Sequence, residues 1–384
     1  MSPVDGRQRE PCDLLVVSHP CVLPVNQAVY LALRERGWRL TLVVPGVWRH
    51  EFAKASFRPQ PLPGMEDSLL QFPVVLAGQV QRHAYLVSPR KVLRSLSPRV
   101  VFLEQETFSV PALQWGRGAW RAGIPFGVQA AENLDRPLPR PARLIRERVL
   151  AHADFVATRS PRAGDLARRW GSRGLVSLIP HAVPRWPVAH RGTARTFTVG
   201  FAGRLVEQKG IGDLVAACRL LGVPVRLLIV GDGPLRPSLA DADVPGEVRI
   251  WSGFPHERMP EAYAEMDVLV LPSRTTSTWA EQFGRVLVEA LWCGVPVVGS
   301  DSGEIAWVIS ATGGGRLFPE GDVRELASVL RELRNDPDQR RALAERGRNR
   351  VEDMFSVDAC AEAMHETLTA VLECSGHPMG GRDG

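Results

Sequence analysis

Short, wholly apolar runs alternate along this chain with stretches whose apolar residues recur every three to four positions. In the first half, runs at 14–17, 40–44, 100–103, 124–128, 153–158 and 176–179 read as buried strands. Residues 26–36 and 161–170 read as helices, stopped by Gly37 and Gly171. The stretch 45–76 is proline-rich and irregular apart from a strand near 72–76. In the second half, strands are expected at 197–201, 225–230, 248–251, 268–271 and 295–298. Helices are expected at 212–221, 283–293, 320–333, 336–354 and 357–372. Strand–loop–helix–strand units in series predict doubly wound α/β domains, which bind ligands beyond the carboxyl ends of their strands.

A chain of 384 residues is long enough for two such domains. The segment 180–195, with Pro184, Pro187 and Gly192, reads as the linker. A hydrophobic content of 45% with 23% charged residues is that of a globular chain, and no apolar run nears the ~20 residues that span a bilayer. The first 13 residues lack an apolar signal core, so a cytoplasmic location is expected. Six scattered cysteines without a C-x-x-C pair read as reduced and structural, not as metal ligands. A net charge of +5 permits an anionic substrate without calling for nucleic acid.

The chemistry concentrates in 273–302. A polar turn follows the strand at 268–271, and a helix expected at 283–293 carries Glu281 before it and Glu289 inside it. A helix N-terminus offers unpaired N–H groups and a positive dipole end to a phosphate, and Gly284 lets a ligand approach. Eight helical steps put the two carboxylates up to ~12 Å apart along the axis, one for each end of a long ligand. Glu281 also reads as an ordinary first-turn glutamate, whereas a buried Glu289 without partners is costly. Arg204 and Lys209 follow the strand at 197–201, where they suit phosphate oxygens or a surface ion pair with Glu207. The turn Gly231-Asp232-Gly233-Pro234 is weak testimony to a nucleotide on its own. In the first half, polar residues trail the strand ends: His19 in the loop 18–27, Glu104-Gln105-Glu106, and Gln129 to Asn133.

Glu281-x7-Glu289 around Phe283-Gly284, with Gly294-Val295-Pro296-Val297-Val298 after it, resembles the signature of glycosyltransferase family 4, whose members are retaining enzymes of GT-B fold. The resemblance extends to Phe201-Ala202-Gly203-Arg204-Leu205-Val206-Glu207-Gln208-Lys209-Gly210 and to Leu228-Ile229-Val230-Gly231-Asp232-Gly233-Pro234. It implies two Rossmann-like domains facing a central cleft. An acceptor-binding domain at 1–185 would regain the crossover helix and tail at 357–384, and a donor-binding domain would occupy 195–356. It implies transfer of a hexosyl group from a UDP- or GDP-linked sugar to an acceptor hydroxyl, with retention and without a metal or other cofactor. Arg204 and Lys209 would hold the diphosphate, Glu281 the donor sugar and Glu289 the ribose. Gly203, Gly233, Phe254, Phe283, Gly284 and Arg285 would complete the donor site.

Two departures stand out. Where the family carries adjacent glycines beside the donor phosphates, this chain has Pro24-Val25-Asn26-Gln27, so Asn26 either replaces that contact or caps the next helix. Where many members carry a histidine near the reacting sugar, Gln129 to Asp135 has none. Glu132 or Asn133 either takes its place or is a structural loop residue. His19, Glu104 and Asn133 are candidates for the acceptor, which could be a small molecule, a lipid or a polysaccharide. The arginines at 136, 140, 143, 146 and 148 read as a solvated surface, not a membrane-docking helix. A monomer and a homodimer both fit. Rival readings are an epimerase or phosphorylase on the same architecture and a binding homologue without activity. An NAD-linked dehydrogenase fits worst, because no G-x-G-x-x-G follows residues 14–17.

Overall fold

The computed structural model describes residues 12–49, 56–187 and 196–376. The chain forms two units: the first runs to Pro184 and resumes at Val357, and the second is Arg185–Ser356. Of the expected linker, Trp186 is buried within the second unit, while 188–195 lie outside the described residues, as do most of the N-terminal segment and the tail from 377.

The first unit opens with β1 (Leu14–Ser18), α1 (Ala28–Glu35) and β2 (Leu40–Pro45). A small ladder, β3 (Trp48–Arg49) with β4 (Ser56–Phe57), precedes β5 (Leu69–Phe72), and another, β6 (Val74–Val75) with β7 (Ala84–Tyr85), follows it. Then come α2 (Pro89–Leu96), β8 (Val100–Glu106), α3 (Val110–Arg121), β9 (Phe126–Ala130), α4 (Arg140–His152), β10 (Phe155–Thr158), α5 (Pro161–Arg169) and β11 (Leu175–Leu178). Seven strands form one parallel sheet in the order β11-β10-β9-β8-β1-β2-β5. Its inner strands are buried on both faces, as a covered parallel sheet requires: Leu14 and Val16 enter one core, Leu15 and Val17 the other.

The second unit runs β12 (Thr198–Ala202), α6 (Ile211–Leu221), β13 (Val225–Val230), α7 (Arg236–Ala240), β14 (Gly246–Trp251), α8 (Met259–Ala264), β15 (Val268–Leu271), α9 (Arg285–Trp292), β16 (Val297–Ser300), α10 (Ile305–Thr312), β17 (Gly315–Phe318), α11 (Val323–Asn335) and α12 (Pro337–Phe355). Its sheet is again parallel, in the order β14-β13-β12-β15-β16-β17. Helix α13 (Val357–Cys374) belongs to the first unit, where it packs on α1 and where Trp38 Nε1 donates to His365 Nδ1 at 2.9 Å. In each unit the strand order reverses at one place, between β1 and β8 and between β12 and β15. A doubly wound sheet opens a crevice at such a switch point.

Two expectations need correction, and one helix is added within the basic run. The helix expected from residue 283 begins at Arg285, behind a left-handed Gly284, so Glu281 stands in an irregular segment and the eight-step separation does not apply. Strand β8 does not stop before Glu104: it continues through Glu106. Leu103 pairs with Val128 and Glu106 with Gln129, so the register jumps within that trio, a bulge of the kind that re-aims side chains. A helix that the sequence reading did not include, α4, takes in part of the basic run, whose Arg140, Arg143 and Arg148 are exposed. Pro141 sits in the first turn of α4, where its missing N–H costs nothing, and Val149 and Leu150 fasten the helix to the core.

Candidate functional site

The loop after β12 and the loop after β15 meet at the second unit's switch point. Gly210 makes this possible: it is left-handed (φ 65°), and a Cβ there would stand 1.8 Å from the Pro272 carbonyl oxygen. Lys209 is thereby set beside Glu281, with Nζ to Oε2 at 2.5 Å. The same Oε2 accepts from the buried Ser273 hydroxyl at 2.8 Å, and Lys209 also lies 5.2 Å from the centre of the Trp279 ring. Glu281 is therefore a buried ion-pair partner of Lys209, not of the helix dipole. An ammonium has three N–H donors, so Lys209 can serve an anion while holding Glu281.

The turn carrying Gly203 and Arg204 is knitted to the next one. Gly203 N–H donates to the Val230 carbonyl and Leu205 N–H to that of Asp232, both at 2.9 Å. The G-x-G spacing has a structural cause here: a Cβ on Gly233 would lie 2.4 Å from the Leu205 carbonyl oxygen. Arg204 projects from this pair of turns and is exposed.

Glu289 is 3% exposed and accepts from the Tyr263 hydroxyl through Oε2 at 2.8 Å. Its Oε1 faces His256 Nε2 at 3.0 Å and Arg285 Nε at 2.9 Å; the latter is an ion-pair contact without hydrogen-bond alignment. Burial, then the Glu289 charge, pushes the Tyr263 phenol well above its ordinary pKa, so it stays a donor. Trp186 covers this cluster, 5.2 Å from the His256 ring and 6.1 Å from Tyr263. Phe283 packs its ring on Trp307 and Phe355, which leaves only its backbone for a ligand. Phe254 is half-buried between Trp251 and Arg258.

In the first unit the polar strand ends also converge, but on a side-chain network. Glu104 takes Arg159 Nη2 on Oε1 at 2.9 Å, and the Ser18 and Tyr30 hydroxyls on Oε2 at 2.7 and 2.8 Å. Arg159 also donates to Gln129 and to the Ile179 and Pro180 carbonyls. Asn26 is not a helix cap: it sits within a 3-10 turn, Pro24–Gln27, and its amide donates to the Pro20 carbonyl at 2.8 Å. Glu132 is clamped by the Arg136 guanidinium at 2.8 and 3.0 Å, and the Asn133 carbonyl accepts from Arg162.

Glu106 differs from its neighbours. Its Oε2 is sealed from solvent without a hydrogen-bond partner among the described residues, while Oε1 accepts from the Ala131 N–H. Burial, then the Glu132 charge, pushes its carboxyl up to about 7. His19 is half-buried, with its ring walled in by Trp48 and His83 at 5.0 and 5.5 Å and joined to Gln105. Burial, then His83, brings it down to about 3, so it is a neutral imidazole. Sequence reasoning missed Ser273, Tyr263, His256 and Trp186 in one unit, and Arg159, Tyr30, Trp48 and His83 in the other. Of these, Arg159 and Ser273, just beyond the ends of β10 and β15, carried a positional signal. Among the described residues, no group of three or more His, Cys, Asp or Glu could hold a metal ion, and no helix is long and apolar enough to cross a membrane.

Solved structures share this architecture from end to end. A sucrose-phosphate synthase from Thermosynechococcus elongatus superposes with a TM-score of 0.68 at 20% identity, over 95% of this chain and 100% of that one. The Anabaena protein HepE, in complex with UDP, gives 0.69 at 18% identity, over 93% and 99%. The fold is GT-B. Residues 186–350 match the family model described as "Glycosyl transferases group 1". A 2-deoxystreptamine N-acetyl-D-glucosaminyltransferase of Streptomyces fradiae is 26% identical over 269 residues, 62% of this chain and 63% of that protein. A D-inositol 3-phosphate glycosyltransferase of Xylanimonas cellulosilytica is 30% identical over 256 residues, 60% of each. This GT-B chain thus spans less than two thirds of the curated relatives it matches.

Proposed function

We propose that this protein is a retaining, metal-independent glycosyltransferase of family 4, with its nucleotide-sugar donor at the second unit and its acceptor at the first. The observation that carries this reading is Glu281 held by both Lys209 and Ser273 at the β12/β15 switch point, within the segment that matches the family model. Lys209 and Arg204 neutralise the leaving diphosphate, aided by backbone N–H groups near Gly284. Donors fixed in place before the reaction stabilise developing charge without reorganising. Glu281 receives hydroxyls of the donor sugar. Glu289 receives the ribose hydroxyls, which displace the half-exposed His256 while the buried Tyr263 stays. In this reading the carboxylate at the donor sugar, Glu281, is already engaged by Lys209 and Ser273 and serves as no nucleophile, so the acceptor attacks on the face the phosphate leaves. Glu132 is already committed to the Arg136 guanidinium. Glu106, poised near neutrality, is the better candidate to take the acceptor proton. The UDP held by HepE makes a uridine donor the first to try.

The test is a thermal-shift screen of UDP, GDP and ADP and their sugars. A ligand at a hundred times its Kd stabilises by ~2.7 kcal/mol. One nucleotide class should raise Tm, and Lys209→Ala and Glu289→Gln should abolish the rise. A full rise in Glu289→Gln removes the ribose assignment, and no rise with any nucleotide removes the reading altogether. Donor hydrolysis without transfer to any acceptor would support the inactive-homologue alternative.

A further inference from the structure

Beyond Ser273 the chain runs exposed through 274–278, and then Trp279 turns back to stand half-buried beside Lys209. This loop is tied down along its length. The Arg274 N–H donates to the carbonyl of Gln208, the residue before Lys209, at 2.8 Å. Its side chain donates through Nε to Asp213 Oδ2 on α6 at 2.7 Å. The Thr275 N–H donates to Glu320 Oε1 at 2.7 Å, and the Thr275 hydroxyl meets that of Ser302 at 2.9 Å. Thr276 and Trp279 close the turn on each other. The Thr276 N–H donates to the Trp279 carbonyl at 2.7 Å, and the Trp279 N–H to Thr276 Oγ1 at 3.0 Å. A loop held at this many points aims its indole before any ligand arrives.

The indole meets a cation. Lys209 Nζ lies 5.2 Å from the Trp279 ring centre, within cation–π reach, while Glu281 Oε2 accepts from the same ammonium. A lysine head sits on a flexible four-carbon stem and is strongly hydrated, so one carboxylate alone directs it poorly. An aromatic face attracts the ammonium without a lone pair, which leaves N–H donors for an anion. It also takes the place of water, and the Lys209 side chain is only 14% exposed. An aliphatic residue there would exclude water as well, but the ammonium would then answer to Glu281 alone. We infer that Trp279 is a positioning residue: the π face of its ring, not its bulk, steers the Lys209 ammonium toward the donor diphosphate. This rests on the reading of Lys209 as a diphosphate-binding residue.

The experiment compares Trp279→Phe with Trp279→Leu in the full chain. Both cover Lys209 with apolar surface, and only phenylalanine keeps a π face. The probe is UDP, GDP or ADP, whichever raises the Tm of the parent, titrated by calorimetry. Trp279→Leu should weaken its binding about tenfold, while Trp279→Phe stays within about threefold of the parent. Should Trp279→Leu lower Tm without ligand, Trp279→Met repeats the comparison. A second measurement needs no nucleotide. In urea unfolding, the losses in Trp279→Leu and Lys209→Met should be non-additive in the double variant, because ring and ammonium share one contact. Equal affinities in the Phe and Leu variants overturn the inference even where the parent binds well, and so do strictly additive losses in urea. Absence of binding by the parent to all three nucleotides removes the donor reading, and this inference with it.

Discussion

The two units carry their polar strand ends in different ways. In the second, backbone geometry does the positioning. Gly210 lets one loop pass under Pro272, and Gly233 lets one turn stack on Leu205. The result is a few polar side chains, Lys209, Glu281 and Ser273, held by turns that short motifs encode. In the first, side chains position one another across the sheet: Arg159 reaches Glu104 from 55 positions away, and Tyr30 reaches it from 74. Backbone-built sites tolerate little change at glycine. Networks of buried charge tolerate little change at any one member, because the partner is left uncompensated.

The sharpest way to break this comparison uses two glycines at the ends of α6. Gly210 and Gly222 share φ 65°, but a Cβ at 222 meets nothing within 4 Å. Gly222→Ala should cost only the left-handed strain, about 1 kcal/mol. Gly210→Ala adds a backbone collision and should cost at least ~4 kcal/mol, or prevent folding of that unit. Urea unfolding of both variants decides it; similar losses would mean that the close approach to Pro272 contributes nothing.

Next in size is Arg159→Met, which strands Glu104 and should cost ~3–5 kcal/mol. Adding Glu104→Gln should recover part of that loss. Strictly additive losses in the double-mutant cycle would contradict the network.

The smallest effect concerns Glu106. Its folded pKa of about 7 lies above the ordinary 4.5, so the folded state binds the extra proton between those values. Its contribution is therefore present below pH 4.5 and lost as pH rises through 7. Relative to the parent, Glu106→Gln should gain up to ~3 kcal/mol across that window and then level off. If Glu106 takes the acceptor proton, the variant should also lose the rise of kcat through pH 7. A parallel pair of stability curves would show that Oε2 is better solvated than its surroundings imply.

The contrast also accounts for what a reader of the sequence can see. Strand runs such as 225–230 and 268–271 coincide with β13 and β15, because a covered parallel strand is apolar along its whole length. Lys209 and Glu281 were legible because each belongs to a local motif. The pairing of Arg159 with Glu104 was not, since nothing near Arg159 in sequence says that Glu104 waits at the end of another strand. The trio at 104–106 was visible, but its bulge was not, so Glu106 could not be told from Glu104. Helices α3 and α4 hid behind Pro111, Gly116 and Gly118 and behind Pro141, residues that usually interrupt a helix. Here the prolines sit in the first turn, and Gly116 brings α3 against Phe126.

Trp186 has a practical consequence for anyone dividing this chain. A second half started at Phe197, where the first strand approaches, would strip the indole from His256 and Tyr263 and wet the pocket around Glu289. A start at Arg185 keeps that cover in place, so the short connector belongs with the piece that follows it.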